Sequence, residues 1–155
     1  MKKAANIIVP VLICFAVGYT AQYFQSDAIG SWYPALNKPP RLIPPNIVFP
    51  IVWGILYLCM GISIGLILNA KSDRKTYFIR LFALQLLLNF TWSISFFYLQ
   101  NPLAGMINIL LLDAVVFFYI YKSFDTFTSS SILFIPYLMW ICFASYLNIY
   151  ILVNN

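Results

Sequence analysis

The sequence predicts an all-α membrane protein, a five-transmembrane-helix bundle with a structured lid loop between its first and second helices. Three observations carry that prediction. Hydrophobic residues make up 63% of the 155 residues and charged ones only 8%, where soluble domains hold about 45–50% and about 25%. Polar breaks divide the apolar sequence into five stretches, residues 4–24, 46–69, 79–99, 103–121 and 132–153, each close to the roughly 20 residues that cross a hydrocarbon core. Between the first two lies a segment, about 25–45, too rich in proline and aromatic residues to be a plain turn. One transmembrane domain, 1–155, uses nearly the whole chain, so function belongs inside the bundle or at its mouths.

Composition also excludes chemistry. The chain has no histidine and no glutamate, which removes a histidine-ligated haem iron, a conventional zinc site and a Ser-His-Asp triad. Cys14, Cys59 and Cys142 fall within apolar spans without metal-ligand spacing and read as small packing residues. No metal is expected. The net charge of +5 reads as topology and not as nucleic-acid binding. With five alternating helices, Lys2, Lys3, Lys71, Arg74, Lys75, Arg80 and Lys122 share one side and only Lys38 and Arg41 the other. That places the N-terminus in the cytoplasm and the lid and C-terminus outside, in a cell membrane. Met1-Lys2-Lys3 before an apolar run resembles a secretory signal, but the run is long and Gly18-Tyr19-Thr20-Ala21 is a poor cleavage site. The first span is therefore expected to be retained.

The first span tolerates Pro10 and Gly18 as membrane helices do, and its Tyr19, Gln22 and Tyr23 edge reads as an interfacial anchor on a packing helix. In the lid, Pro39-Pro40 and Pro44-Pro45 impose extended backbone and stiffness, and Pro44-Pro45 leaves Asn46 or a neighbour near the start of the second span. There Trp53, Tyr57 and Gly61 recur every four residues on one face. Gly61 and Gly65 form a small-xxx-small pair that suits either an intramolecular contact or a dimer.

The loop of residues 70–77 is a basic orientation anchor. In the third span Gln85, Asn89, Trp92, Ser93 and Phe96 follow helical spacing along one stripe. Amides are costly in lipid, so this stripe should face inward, either bonding to other helices or walling a ligand pocket. Pro102 suits the first turn of the fourth span, which carries Asp113, the only acid deep in a span. Its expected partners lie on the third or first span, in a functional or a helix-pinning role. After a polar loop, Ser123–Ser131, the last span presents Pro136, Trp140, Phe143, Ala144 and Leu147 along one stripe, with Tyr137 and Asn148 beside it.

These residues resemble the translocator protein family, called tryptophan-rich sensory proteins in bacteria and formerly peripheral benzodiazepine receptors. The resemblance rests on W-Y-P-A-L-N-K-P and P-P-N-I-V-F-P-I-V-W-G-I-L-Y within Trp32–Tyr57, Q-L-L-L-N-F-T-W at Gln85–Trp92, L-L-L-D at Leu110–Asp113 and P-Y-L-M-W-I-C-F-A-S-Y-L-N at Pro136–Asn148. It implies a five-helix bundle, often a homodimer, whose first loop caps a pocket for porphyrins and synthetic aromatic ligands. It further implies that Trp53, Asn89 and Trp140 line the pocket, that Tyr33 reaches it from the lid, and that Tyr57, Phe143 and Ala144 complete the wall. Asp113 matches the family's acid. In bacterial relatives the tryptophans matching Trp53 and Trp140 are implicated in light- and oxygen-dependent porphyrin breakdown. Two features depart from the family. Pro40-Arg41-Leu42-Ile43 replaces an aromatic after Lys-Pro, and no base follows Tyr146 or Tyr150 to make the sterol pattern of animal members.

The leading functional expectation is thus a membrane binding protein with lipid around it and protoporphyrin IX inside it, no cofactor being obligatory, in a sensing or regulatory role tied to tetrapyrroles and oxidative stress. An aromatic cavity with few polar groups suits a flat tetrapyrrole. The alternative is a porphyrin-degrading enzyme in which Trp53 and Trp140 act as redox partners, since ordinary acids and bases are lacking. A transporter is the weaker alternative, five helices offering no inverted repeat.

Overall fold

A computed structural model describes residues 2–40 and 44–155. It contains five helices long and apolar enough to span a membrane, and no strand among the described residues. They are α1 (Lys2–Gly30), α3 (Val48–Asn69), α4 (Lys75–Ser93, continued by a π-helical turn at Ile94–Tyr98), α5 (Pro102–Ser123) and α6 (Thr128–Asn154), with a single-turn α2 (Trp32–Ala35) between the first two. The chain is a multi-pass membrane protein.

Several boundaries differ from those read in the sequence. α1 runs six residues past Phe24 to end at Gly30, because residues 25–29 hold no breaker and are anchored. Ala28 is buried, and the Gln25 amide donates to Ser93 Oγ on α4 at 2.6 Å. The connector to α3 therefore starts near Ser31 and includes α2, and Arg41–Ile43 at its centre lie outside the described residues. α6 starts at Thr128 rather than Ile132. Ser130 and Ser131, expected in a polar loop, are buried inside its first turns because their hydroxyls find partners within the bundle. Ser130 Oγ meets Ser63 Oγ at 2.5 Å and Tyr119 Oη at 3.2 Å, while Ser131 Oγ meets Ser123 Oγ at 2.7 Å.

Local chemistry sets the other ends. Pro102 opens α5, where its missing amide hydrogen leaves no bond unmade, and Asn101 caps it, its Oδ1 accepting from the Ala104 amide at 3.0 Å. Before α3, the Pro45 carbonyl accepts from Val48 at 2.9 Å, a turn that delays the helix two residues beyond Asn46.

α1 packs chiefly on α3, α5 on α6 and α4 on α5. The glycine pair of α3 is consumed within the chain. A Cβ at Gly61 would stand 2.5 Å from Val11, and one at Gly65 would stand 2.8 Å from Asn6 and Ile7. Backbone thus lies against backbone along α1–α3, as small residues permit in lipid. At this end Asn6 Nδ2 donates to Asn69 Oδ1 at 2.8 Å and Arg74 donates to Thr126 at 3.1 Å. At the opposite end Asn37 and Asn155 exchange bonds of 2.8 and 3.2 Å, tying the α1–α3 connector to the end of α6.

Candidate functional site

Toward the connector end the helices enclose a cavity of about 650 Å³, within the range of about 300–1,000 Å³ usual for small-molecule sites. Tyr33, Trp53, Tyr57, Asn89, Trp92, Trp140, Phe143 and Ala144 all line it. The sequence placed these side chains on four separate segments, and the fold brings them around one space.

Its floor is a hydrogen-bonded amide. Asn89, 2% exposed, accepts from the Tyr57 hydroxyl at 3.3 Å and donates to the Tyr137 hydroxyl at 3.0 Å, linking α4 to α3 and α6. Trp53 stacks on Tyr57 with ring centroids 5.4 Å apart and meets the edge of Tyr137 at 6.3 Å. Across the cavity Trp140 packs between Phe49 at 5.8 Å and Phe143 at 5.7 Å. Such pairs hold the rings in set orientations.

The π-helical turn shapes the third wall. Its wider turn carries both Phe96 and Phe97 inward, 2% and 9% exposed. Trp92 stacks on Phe96 with planes 15° apart, and Tyr33 meets Phe97 at 5.6 Å. The Trp92 indole donates to Asn148 Oδ1 at 3.4 Å, and Asn148 donates to the Pro102 carbonyl at 2.8 Å, so its orientation is fixed by α6 and the α5 start.

The connector supplies the rim. Tyr33, Pro34 and Lys38 line the cavity. The Lys38 ammonium donates to the Tyr33 carbonyl and lies 4.5 Å from the centre of its ring. Burial raises the Tyr33 hydroxyl pKa and lowers that of Lys38, each time by disfavouring the charged form.

Other residues fall elsewhere. Asp113 does not line the cavity. It is half-buried, and its Oδ2 accepts from Ser145 on α6 at 2.6 Å, so its partner is not on the third or first span as expected. α6 follows α5 as an antiparallel neighbour, which puts its hydroxyl closest. Pro136 is exposed and outside the cavity. Gln85, one turn below Asn89, is fully buried with neither end of its amide bonded to a described protein group.

α1 was read as a packing helix with an aromatic anchor, yet Phe15, Gly18, Tyr19, Gln22 and Gln25 line the cavity. Their spacing of three or four marks a face. Tyr19 and Gln22 are also exposed, so polarity could not distinguish a lining position from an interfacial one. Phe49, Gly54 and Lys38 were equally missed. Gly54 faces open space, no atom lying within 4 Å of a Cβ built there.

The model of the TspO/MBR family matches residues 10–153. The chain belongs to that family. It is 36% identical to the tryptophan-rich protein TspO of Chlorobaculum tepidum over 99% of this chain and 98% of that one. With the protein of the same name from Archaeoglobus fulgidus it shares 37% identity, covering 97% of each. The translocator protein of Bos taurus is 30% identical over 86% of this chain and 85% of its own length.

Proposed function

We propose that this TspO/MBR family member binds a flat tetrapyrrole, with protoporphyrin IX the expected ligand, in the cavity beneath the α1–α3 connector and serves to sense or regulate tetrapyrrole and oxidative stress. One observation carries the reading. Three indoles, Trp53, Trp92 and Trp140, line one space of about 650 Å³ together with a hydrogen-bonded amide, Asn89. Apolar walls with a few fixed polar groups suit a planar, mostly apolar ligand. Histidine is absent from the chain, so metal-free porphyrin fits more readily than axially ligated haem.

The reading includes the side of the membrane. The basic residues at the α1 start and in the α3–α4 connection support an orientation with those ends in the cytoplasm of a cell membrane and the cavity mouth outside. It also includes a homodimer, whose contact must avoid Gly61 and Gly65 because α1 already occupies that face.

Titrating the folded, detergent-solubilised protein with protoporphyrin IX should give a saturable shift of its visible absorbance. A spectrum that follows free porphyrin in micelles at every ratio would reject the proposal.

The presence of both Trp53 and Trp140 in the cavity lining supports a second reading, light- and oxygen-dependent porphyrin degradation. There the excited porphyrin and molecular oxygen supply the chemistry, and Trp53 and Trp140 serve as electron-rich neighbours.

A further inference from the structure

The cavity lining is asymmetric in charge. It contains one cation, Lys38, and no acid among the described residues. The nearest alternatives for balancing that charge are neutral, because the ammonium is held by the Tyr33 carbonyl and the face of the Tyr33 ring. Both contacts orient it without neutralising it. Asp27 and Asp113, the acids of α1 and α5, are not among the lining residues. The lining amides, among them Gln22, Gln25 and Asn46, are uncharged.

Position gives this cation a consequence. Most of the lining is aromatic or aliphatic, and Tyr33, Pro34 and Lys38 enter it from the connector. The segment bearing Lys38 is fixed at its neighbour, since Asn37 is bonded through both its amide and its carbonyl to Asn155. Pro39 on the other side is buried. A half-buried ammonium held on a pinned segment loses less side-chain entropy on pairing than a free surface lysine does. Partial burial also lowers its pKa, and a carboxylate beside it favours the charged form again.

We propose that Lys38 determines the chemical class of ligand, receiving a carboxylate at the cavity mouth while the aromatic body of the ligand lies between the indoles. The cavity then selects amphipathic aromatic carboxylic acids over their neutral esters and fixes which edge of the ligand points outward. This rests on the binding function proposed above and extends it to substrate class and orientation.

The test compares protoporphyrin IX with its dimethyl ester on wild type, Lys38→Met and Lys38→Arg, each in the same detergent. The acid-to-ester affinity ratio is the readout, so that micelle partitioning cancels between variants. Wild type should prefer the acid about tenfold, Lys38→Met should bring the ratio near one with the ester still binding saturably, and Lys38→Arg should keep most of the preference. An equal ratio in wild type, or a preference that survives Lys38→Met, overturns the assignment while saturable ester binding leaves the tetrapyrrole reading standing. Failure of folded wild type to bind either compound overturns both.

Discussion

The two ends of this bundle are built from the same helices and behave as opposites. At the end holding Gly61 and Gly65, α1 and α3 touch through backbone, and Met60, Ile67, Phe78, Tyr119 and Phe134 are wholly buried. At the connector end Gly54, on the same helix as Gly61, faces empty space bounded by Trp53, Trp140 and Phe49. Glycine marks a closed contact in one place and an open one in the other, according to the residues opposite. Glycines set against the α1 backbone at Asn6, Ile7 and Val11 let those helices meet, whereas large aromatic rings braced on one another keep them apart. The packed half acts as a clamp that allows the other half to stay hollow.

Substitutions at the two ends should therefore fail differently. The largest effect is expected from Gly61→Leu, which drives a side chain into Val11. Overpacking of this kind costs about 1–3 kcal/mol, and with backbone as the obstacle the loss should fall at the upper end, visible as a lower unfolding temperature in detergent. Unchanged stability would show that α1 is free to move away and that the clamp is not rigid.

Asn89→Leu comes next, since it strands the hydroxyls of Tyr57 and Tyr137. Interhelical bonds in membranes contribute about 1–2 kcal/mol in model peptides, so stability should drop by that order while porphyrin affinity also declines. A drop in stability alone would make Asn89 a helix pin and remove it from the binding site.

Trp53→Phe with Trp140→Phe should leave porphyrin binding within a fewfold of wild type, because a phenyl ring preserves much of the apolar contact. Illuminated in air, that double variant should bleach bound porphyrin more slowly. Equal bleaching rates would reject a tryptophan role in degradation. The smallest effect belongs to Asp113→Asn. An amide oxygen can still accept from Ser145, and the residue lies outside the cavity, so both stability and porphyrin affinity should change little. A tenfold loss of affinity would mean that this acid communicates with the cavity through α6.

What the sequence revealed follows from what each signal measures. Five spans were legible because apolar length is a direct consequence of bilayer thickness. The inward stripe Asn89–Trp92–Ser93–Phe96 was legible because amides avoid lipid. Span ends were less so. Ser130 and Ser131 look like loop residues until partners on α3 and α5 are known, and Gln25–Gly30 looks like a loop until Ser93 is seen to hold it. The contribution of α1 to the cavity was hidden for a related reason. Tyr19 and Gln22 carry the composition of a membrane interface, and only the packing of α1 beside α3 makes them part of a wall. Lys38 was counted for topology, which is a property of charge number, while its place at the mouth depends on the Asn37–Asn155 clasp.

The hollow end is the expected ligand site, and Gly54→Leu tests this most directly. Leucine there fills space that no atom occupies, so the variant should unfold at a temperature no lower than wild type while its saturable absorbance shift with protoporphyrin IX disappears. A Gly54→Leu protein that binds the porphyrin as tightly as wild type would place the ligand elsewhere and contradict the account.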